Sequence, residues 1–221
     1  MKIVWDFGGV LFHWQPPRLL QRELPRRAVD DAATAHWVRQ IFQGYGGDWA
    51  EFDRGTVEVP ALVQRIARRT GLEMHEVQAV VDGVPGELRP IPESVALLAR
   101  LRDAGHQQFF LSNMPAPYAD HLEAEHDFVG WFAGGVFSGR VKAIKPEPLI
   151  FELAAQRFGV PPSQLLFFDD HAPNVEAARA AGWQAELFAD AAGAERALAE
   201  RGLAPWPRGT RTRGVVVPGS R

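Results

Sequence analysis

The first apolar run of the chain, KIVW at residues 2–5, shows no alternation of polar and apolar positions. A strand written this way is buried on both faces. Similar short runs recur at QFFLS (108–112), GGVFS (134–138), LLFFD (165–169) and WQAELF (183–188), and each is predicted to be a strand. Helical spacing fills the intervals. Val95, Leu98 and Leu101 fall on one face after the punctuation RPIPES (89–94), and Ile150, Leu153 and Ala154 point inward within 147–159, where Gly159 supplies the C-terminal cap. Further helices are expected at 174–182, ending in Gly182, and at 191–201. Strands alternating with helices predict a mainly parallel α/β sheet covered on both faces. Residues 15–90 break the alternation. There Trp37, Ile41 and Phe42 share a face, as do Leu62 and Ile66, with Ala61 and Arg65 less tightly placed, and the glycine-rich GYGGD (44–48) interrupts. This stretch reads as a helical insertion after the first strand, and no internal repeat is visible.

Composition narrows the function more than the fold. With 221 residues, 46% of them hydrophobic, the chain suits one large domain or a domain with an insertion. The 24 basic and 27 acidic residues give a net charge of -3, which offers no reason to expect a nucleic-acid partner. Cysteine is absent, so disulfides and thiolate metal sites are excluded. No apolar region suits a signal peptide or the ~20 residues of a membrane span, so the expectation is a cytoplasmic protein without a membrane partner. Arg208, Arg211, Arg213 and Arg221 make the end of the chain basic, and it is read as a solvated tail over 206–221.

The candidate chemistry lies where the predicted strands end. In open α/β sheets ligands bind beyond the carboxyl ends of the strands. Three of these ends are polar: Asp6, the pair Ser112 and Asn113, and the pair Asp169 and Asp170; Lys145 stands in IKPEP before a helix. Each alone is an ordinary cap, turn or solvated residue. Two adjacent carboxylates are harder to explain, because like charges repel unless a cation or strong donors lie beside them. Together the set places a nucleophile, a hydroxyl and an amide donor, a cation and an acidic pair at one edge of one sheet.

These motifs resemble those of the haloacid dehalogenase (HAD) superfamily of hydrolases. DFGGV at Asp6, LSN at Ser112, KPEP at Lys145 and FFDDHAPNVEAA at Asp169 and Asp170 appear in the family's order over residues 2–190. The first motif is most similar to the D-x-G-[NG]-V phosphatases, a branch that includes sugar-1-phosphate phosphatases. The resemblance implies a Rossmann-like core formed by 1–14 and 91–205, strand order 5-4-1-2-3, and a helical cap at 15–90. It also implies an Mg2+-dependent phosphatase acting on a small phosphorylated metabolite, with a sugar phosphate as one candidate. By position, Asp6 would be the nucleophile that forms an aspartyl phosphate. Asp6, the Gly8 carbonyl and Asp170 would hold Mg2+. Asp169 and Asn174 would support the site from behind, Ser112 and the amide of Asn113 would bind phosphoryl oxygens, and Lys145 would neutralise the transferring group.

The sequence departs from this pattern at Gly8. Most relatives of this kind carry there a second Asp that protonates the leaving oxygen and then activates water. His13 and His171 are conceivable substitutes. One expectation is that a stable leaving group makes the acid dispensable, so that turnover depends steeply on leaving-group pKa. The competing one is that Gly8 serves only its backbone angles and that an acid arrives from the cap. Two other functions share the fold: a 2-haloacid dehalogenase, which needs no metal and hence no acidic pair, and a phosphate-ligand binding or regulatory protein, which needs no nucleophile. The insertion carries Trp37, Phe42, Tyr45, Trp49 and Phe52, with Asp48, Glu51, Asp53 and Arg54 interleaved, and GYGGDWAEFDRG (44–55) is its candidate segment facing the site.

Overall fold

The computed structural model describes residues 1–203; the basic tail lies outside the described residues. Five strands form one parallel sheet: β1 (Lys2–Trp5), β2 (Gln108–Ser112), β3 (Gly134–Phe137), β4 (Leu165–Asp169) and β5 (Gln184–Leu187). Their spatial order is β3-β2-β1-β4-β5, which is the order the family resemblance implies. Side chains of successive residues leave opposite faces of a strand. Accordingly Ile3 and Trp5, Phe110, and Leu166 and Phe168 enter one hydrophobic core. Val4, Phe109 and Leu111, and Leu165 and Phe167 enter a second core on the other face. The unbroken apolar runs are thus the signature of a sheet with a core on each side.

Between β1 and the rest of the sheet the chain builds α1 (Pro16–Glu23), α2 (Asp31–Phe42), α3 (Gly47–Arg54), α4 (Val59–Thr70) and α5 (Met74–Glu87). Local chemistry explains their limits. Asp30 caps α2 by accepting from Ala33 N, Glu73 and Glu76 form a reciprocal capping box at α5, and Gly55 and Gly71 end α3 and α4 in the left-handed conformation. The chain enters and leaves this helical insertion through paired segments. His13 N donates to Arg89 O at 2.8 Å and Ile91 N to Leu11 O at 2.8 Å.

The remaining helices are α6 (Pro92–Asp103), α7 (Ala116–Glu125), α8 (Ser138–Val141), α9 (Pro148–Phe158), α10 (Ala172–Ala180) and α11 (Ala191–Glu200). Three details differ from expectation. Ser138 opens α8 rather than closing β3. The helix expected at 174 starts at Ala172, because Pro173 sits in its first turn, where a missing N–H costs nothing. α7 was not anticipated at all; its inward face is only Tyr118, Ala119 and Leu122. Among the described residues no helix is long and apolar enough to cross a membrane.

Candidate active site

Strand register brings the polar strand ends together. Trp5 pairs with Phe110 on one side and Phe168 on the other, so the residue that follows it, Asp6, stands beside the carboxyl ends of β2 and β4. Asp6 N donates to Phe168 O at 2.9 Å, and Phe7 N donates to Asp6 Oδ1 at 2.7 Å. Lys145, on the segment between α8 and α9, is fully buried and reaches both Asp6 Oδ1 at 2.8 Å and Asp169 Oδ2 at 2.6 Å. Asp169 also accepts from His171 N at 2.8 Å and, through both oxygens, from Asn174 Nδ2 at 3.0 Å. Its oxygens are therefore committed to holding Lys145 and the start of α10. Asp170, one residue further, is exposed and lines the cavity.

Ser112 is buried at the end of β2 and lines the same cavity. The Asn113 side chain is occupied elsewhere: Nδ2 donates to Lys145 O at 2.9 Å while Oδ1 accepts from Lys145 N at 2.8 Å. This reciprocal pair joins the end of β2 to the lysine segment.

The charges are unevenly matched. Burial pushes the Asp6 carboxyl up to about 8; Lys145 opposes the rise, and Asp169 and Asp170 add to it. Partial withdrawal of its carboxyl from water also raises Asp170, with Asp169 contributing. Burial disfavours the Lys145 ammonium, but Asp169 and Asp6 outweigh that effect and lift its pKa. One lysine thus faces three carboxylates, and oxygens of Asp6, Asp169 and Asp170 lie within 4.8 Å of one another. That is an oxygen-donor set with surplus negative charge, the kind a hard divalent cation takes. The donors fit Mg2+.

The two glycines after Asp6 differ. Gly9 has φ +73, and a Cβ there would run into the Asp170 carboxylate, so this position requires glycine. Gly8 has no such conformation, and a Cβ there would make only ordinary contact with the Trp14 side chain, 3.6 Å away. The reading that backbone angles dictate Gly8 is therefore set aside: a Cβ would fit.

A cavity of about 240 Å³ opens over Asp6, Gly8, Ser112, Asn113, Lys145, Asp170 and Asn174. Every sequence-predicted site residue lines it except Asp169, which lies just beneath. Its upper walls are apolar, with Trp14, Phe42, Trp49, Val84, Leu88 and Met114. Of the two histidines considered as acid, His171 lines the cavity and His13 does not. Of the aromatics in the helical insertion, Phe42 and Trp49 face the cavity, whereas Phe52 packs edge-on against Trp49 and Tyr118 in the core. The helical insertion contributes two charged side chains to the lining, Arg39 and Asp53. Asp53 was not singled out as a site residue in the sequence. The available signal was its spacing of four from Trp49, which puts both on one face of α3.

The profile of the haloacid dehalogenase-like hydrolase family matches residues 3–182. A sesquiterpene phosphatase of Aspergillus oryzae is 27% identical over 180 residues, covering 81% of this chain and 85% of that one. A phosphoglycolate phosphatase of Pseudomonas putida is 30% identical over 200 residues, 82% of this chain and 66% of that protein. Among solved structures, an enzyme of the same family from Bacteroides thetaiotaomicron, in complex with magnesium and inorganic phosphate, superposes with a TM-score of 0.67 at 20% identity, covering 84% of this chain and 92% of that one.

Proposed function

The chain belongs to the haloacid dehalogenase-like hydrolases, and from that premise we propose that it is an Mg2+-dependent phosphatase whose substrate is a phosphate monoester of an apolar alcohol. Residues 15–90 act as its cap and 1–14 with 91–203 as its catalytic core. Asp6 attacks phosphorus and carries the phosphoryl group as an aspartyl phosphate until water releases it. Lys145, locked by Asp169, neutralises the nucleophile and the phosphoryl oxygens. Ser112 and the main-chain N–H of Asn113 bind those oxygens. Asp6, Asp170 and the Gly8 carbonyl would hold Mg2+, which would supply further charge neutralisation. Asn174 fixes Asp169.

The observation that carries the substrate class is the apolar wall directly above Asp6 and Lys145. A sugar phosphate, the class suggested by the first motif, would set its hydroxyls against this wall. Among the described residues the insertion offers that lining only two polar side chains, Arg39 and Asp53, too few for the several hydroxyls of a sugar, and the Tyr118 hydroxyl already donates to Val81 O at 2.8 Å. Unpaired hydroxyls in such a place cost free energy, whereas a hydrocarbon gains roughly 0.8 kcal/mol per buried methylene. The Aspergillus relative, a sesquiterpene phosphatase, supports the same reading. The acidic cluster at Asp6 favours metal-assisted phosphoryl transfer over a metal-free dehalogenase, and the intact nucleophile and lysine favour an enzyme over a binder.

The test is kcat/KM across n-alkyl, prenyl and sugar phosphates, with Mg2+ and with a chelator. Prenyl and long alkyl phosphates should lead, rising about fourfold per methylene until the cavity is full. A preference for sugar phosphates would overturn the substrate class, and full activity in chelator would overturn the metal.

A further inference from the structure

We propose that Asp53, on cap helix α3, is the general acid and base that position 8 lacks. This deepens the phosphatase reading and rests on it.

Three observations place the residue. First, Asp53 lines the same cavity as Asp6, Gly8 and Lys145, and it does so from the insertion, not from the sheet edge. In an in-line displacement the leaving oxygen departs on the side opposite the nucleophile. Asp6 forms the floor of the cavity, so the leaving oxygen points toward the cap. His171, the other acid considered, stands on the sheet side beside Asp170.

Second, the backbone around Asp53 is fastened to the core. Ser138 Oγ donates to Asp53 O at 2.5 Å. Arg54 makes a two-pronged pair with Glu147, at 2.6 and 2.5 Å. Lys142 Nζ donates to Gly55 O, and a Cβ on Gly55 would run into Gly139 O. Three consecutive residues of the cap thus each engage the core, and the carboxyl between these anchors is held over the site. Third, that carboxyl has no hydrogen-bond partner of its own among the described residues, so it is free to meet a ligand. Its surroundings suit an acid: burial raises its pKa well above the usual carboxylate range, against the opposing pull of Lys145. Tyr118, whose own pKa burial and Asp53 both raise, is the other titratable group facing it.

The steps balance. As Asp6 Oδ bonds to phosphorus, the P–O ester bond breaks and its electron pair goes to the leaving oxygen. The Asp53 carboxylic acid gives that oxygen its proton, so the product leaves as a neutral alcohol and Asp53 becomes a carboxylate. Water then attacks phosphorus and yields its proton to Asp53. The Asp6–phosphorus bond breaks, returning the Asp6 carboxylate and inorganic phosphate. A primary alcohol is a poor leaving group, so an apolar phosphate of the class proposed above needs this help.

The test compares wild type with Asp53→Asn on phosphate monoesters of graded leaving-group pKa, from 4-nitrophenyl to n-alkyl, in saturating Mg2+. Wild type should show a shallow dependence of kcat/KM on that pKa. Asp53→Asn should turn it steep, losing about 10²–10⁴-fold on alkyl phosphates and less than about tenfold on 4-nitrophenyl phosphate. Gly8→Asp, at a position where a Cβ makes only ordinary contacts, should restore part of the alkyl activity when combined with Asp53→Asn. Equal losses on alkyl and aryl esters would overturn the proposal and leave the phosphatase reading intact. A wild type that hydrolyses none of the series would instead refute that reading. Should Asp53→Asn fail to fold, Asp53→Glu decides: a slope that stays shallow supports an acid at this position, and an equal loss across the series rejects it.

Discussion

Replacing Asp6 by Asn should end turnover and at the same time make the metal-free protein more stable in alkaline solution. The folded-state value of about 8 lies above the ordinary 3.8, so the native chain holds this proton more tightly than the unfolded chain. Stability from this residue is therefore fully present below about pH 4, drains away as pH rises, and is lost above about pH 8. A displacement of roughly four units at ~1.4 kcal/mol each sets a ceiling of about 6 kcal/mol. Asn removes the charge and keeps an acceptor for Phe7 N, and the opposing pull of Lys145 is already contained in the folded-state value. The expected stabilisation at pH 9 is bounded by that ceiling and shrinks toward zero near pH 4. Urea unfolding of both proteins at pH 5, 7 and 9 in chelator measures it. Added Mg2+ should reverse the order at pH 9, because the wild type keeps a ligand that the variant has lost. Equal stabilities at pH 9, or a less stable variant, would refute the electrostatic account. Retention of more than about one hundredth of the activity, under ~2.7 kcal/mol of barrier, would refute the role of nucleophile.

Asp170→Ala and Gly9→Ala should share a phenotype, since one deletes the Asp170 carboxylate and the other displaces it. Both should weaken Mg2+ affinity by calorimetry, with activity partly restored by excess metal; a normal Gly9→Ala affinity would contradict the contact. Arg54→Met should loosen the partly exposed pair with Glu147, worth about 1 kcal/mol. It should cut kcat/KM by roughly fivefold at low salt while leaving Mg2+ affinity unchanged, and an unchanged kcat/KM would show that this pair does not hold the cap.

What could be read without coordinates depended on how local the signal was. The strands announced themselves because burial on both faces leaves few polar positions in KIVW or LLFFD. Their spatial order did not follow from such patterns and came only from the family resemblance. α7 escaped because three inward residues, one of them Ala119, make too thin a stripe among polar neighbours. At the site, Asp6, Ser112, Lys145 and Asp170 were legible because each ends a strand or follows a motif. Asp53 was not, because its surroundings are set by Ser138, Lys145 and Tyr118, residues far along the chain that reach it only when the insertion packs on the core. Phe42 and Phe52 were alike as aromatics on helices, and only tertiary packing sends one to the cavity and the other to the interior.

The Asn113 side chain reads the backbone of a residue 32 positions away, donating a hydrogen bond to the carbonyl of Lys145 and accepting one from its amide. Very few side chains can do both at that reach. Aspartate has nothing to donate to the carbonyl, serine is too short, and glutamine has the right groups on a stem one methylene too long. The alphabet tolerated at 113 is therefore close to a single letter, for a reason independent of any ligand. It also makes the two segments one unit of inheritance. A lysine loop transplanted from a relative will keep its shape here only if the partner of its backbone travels with it, so the smallest exchangeable module of this site is the pair of loops.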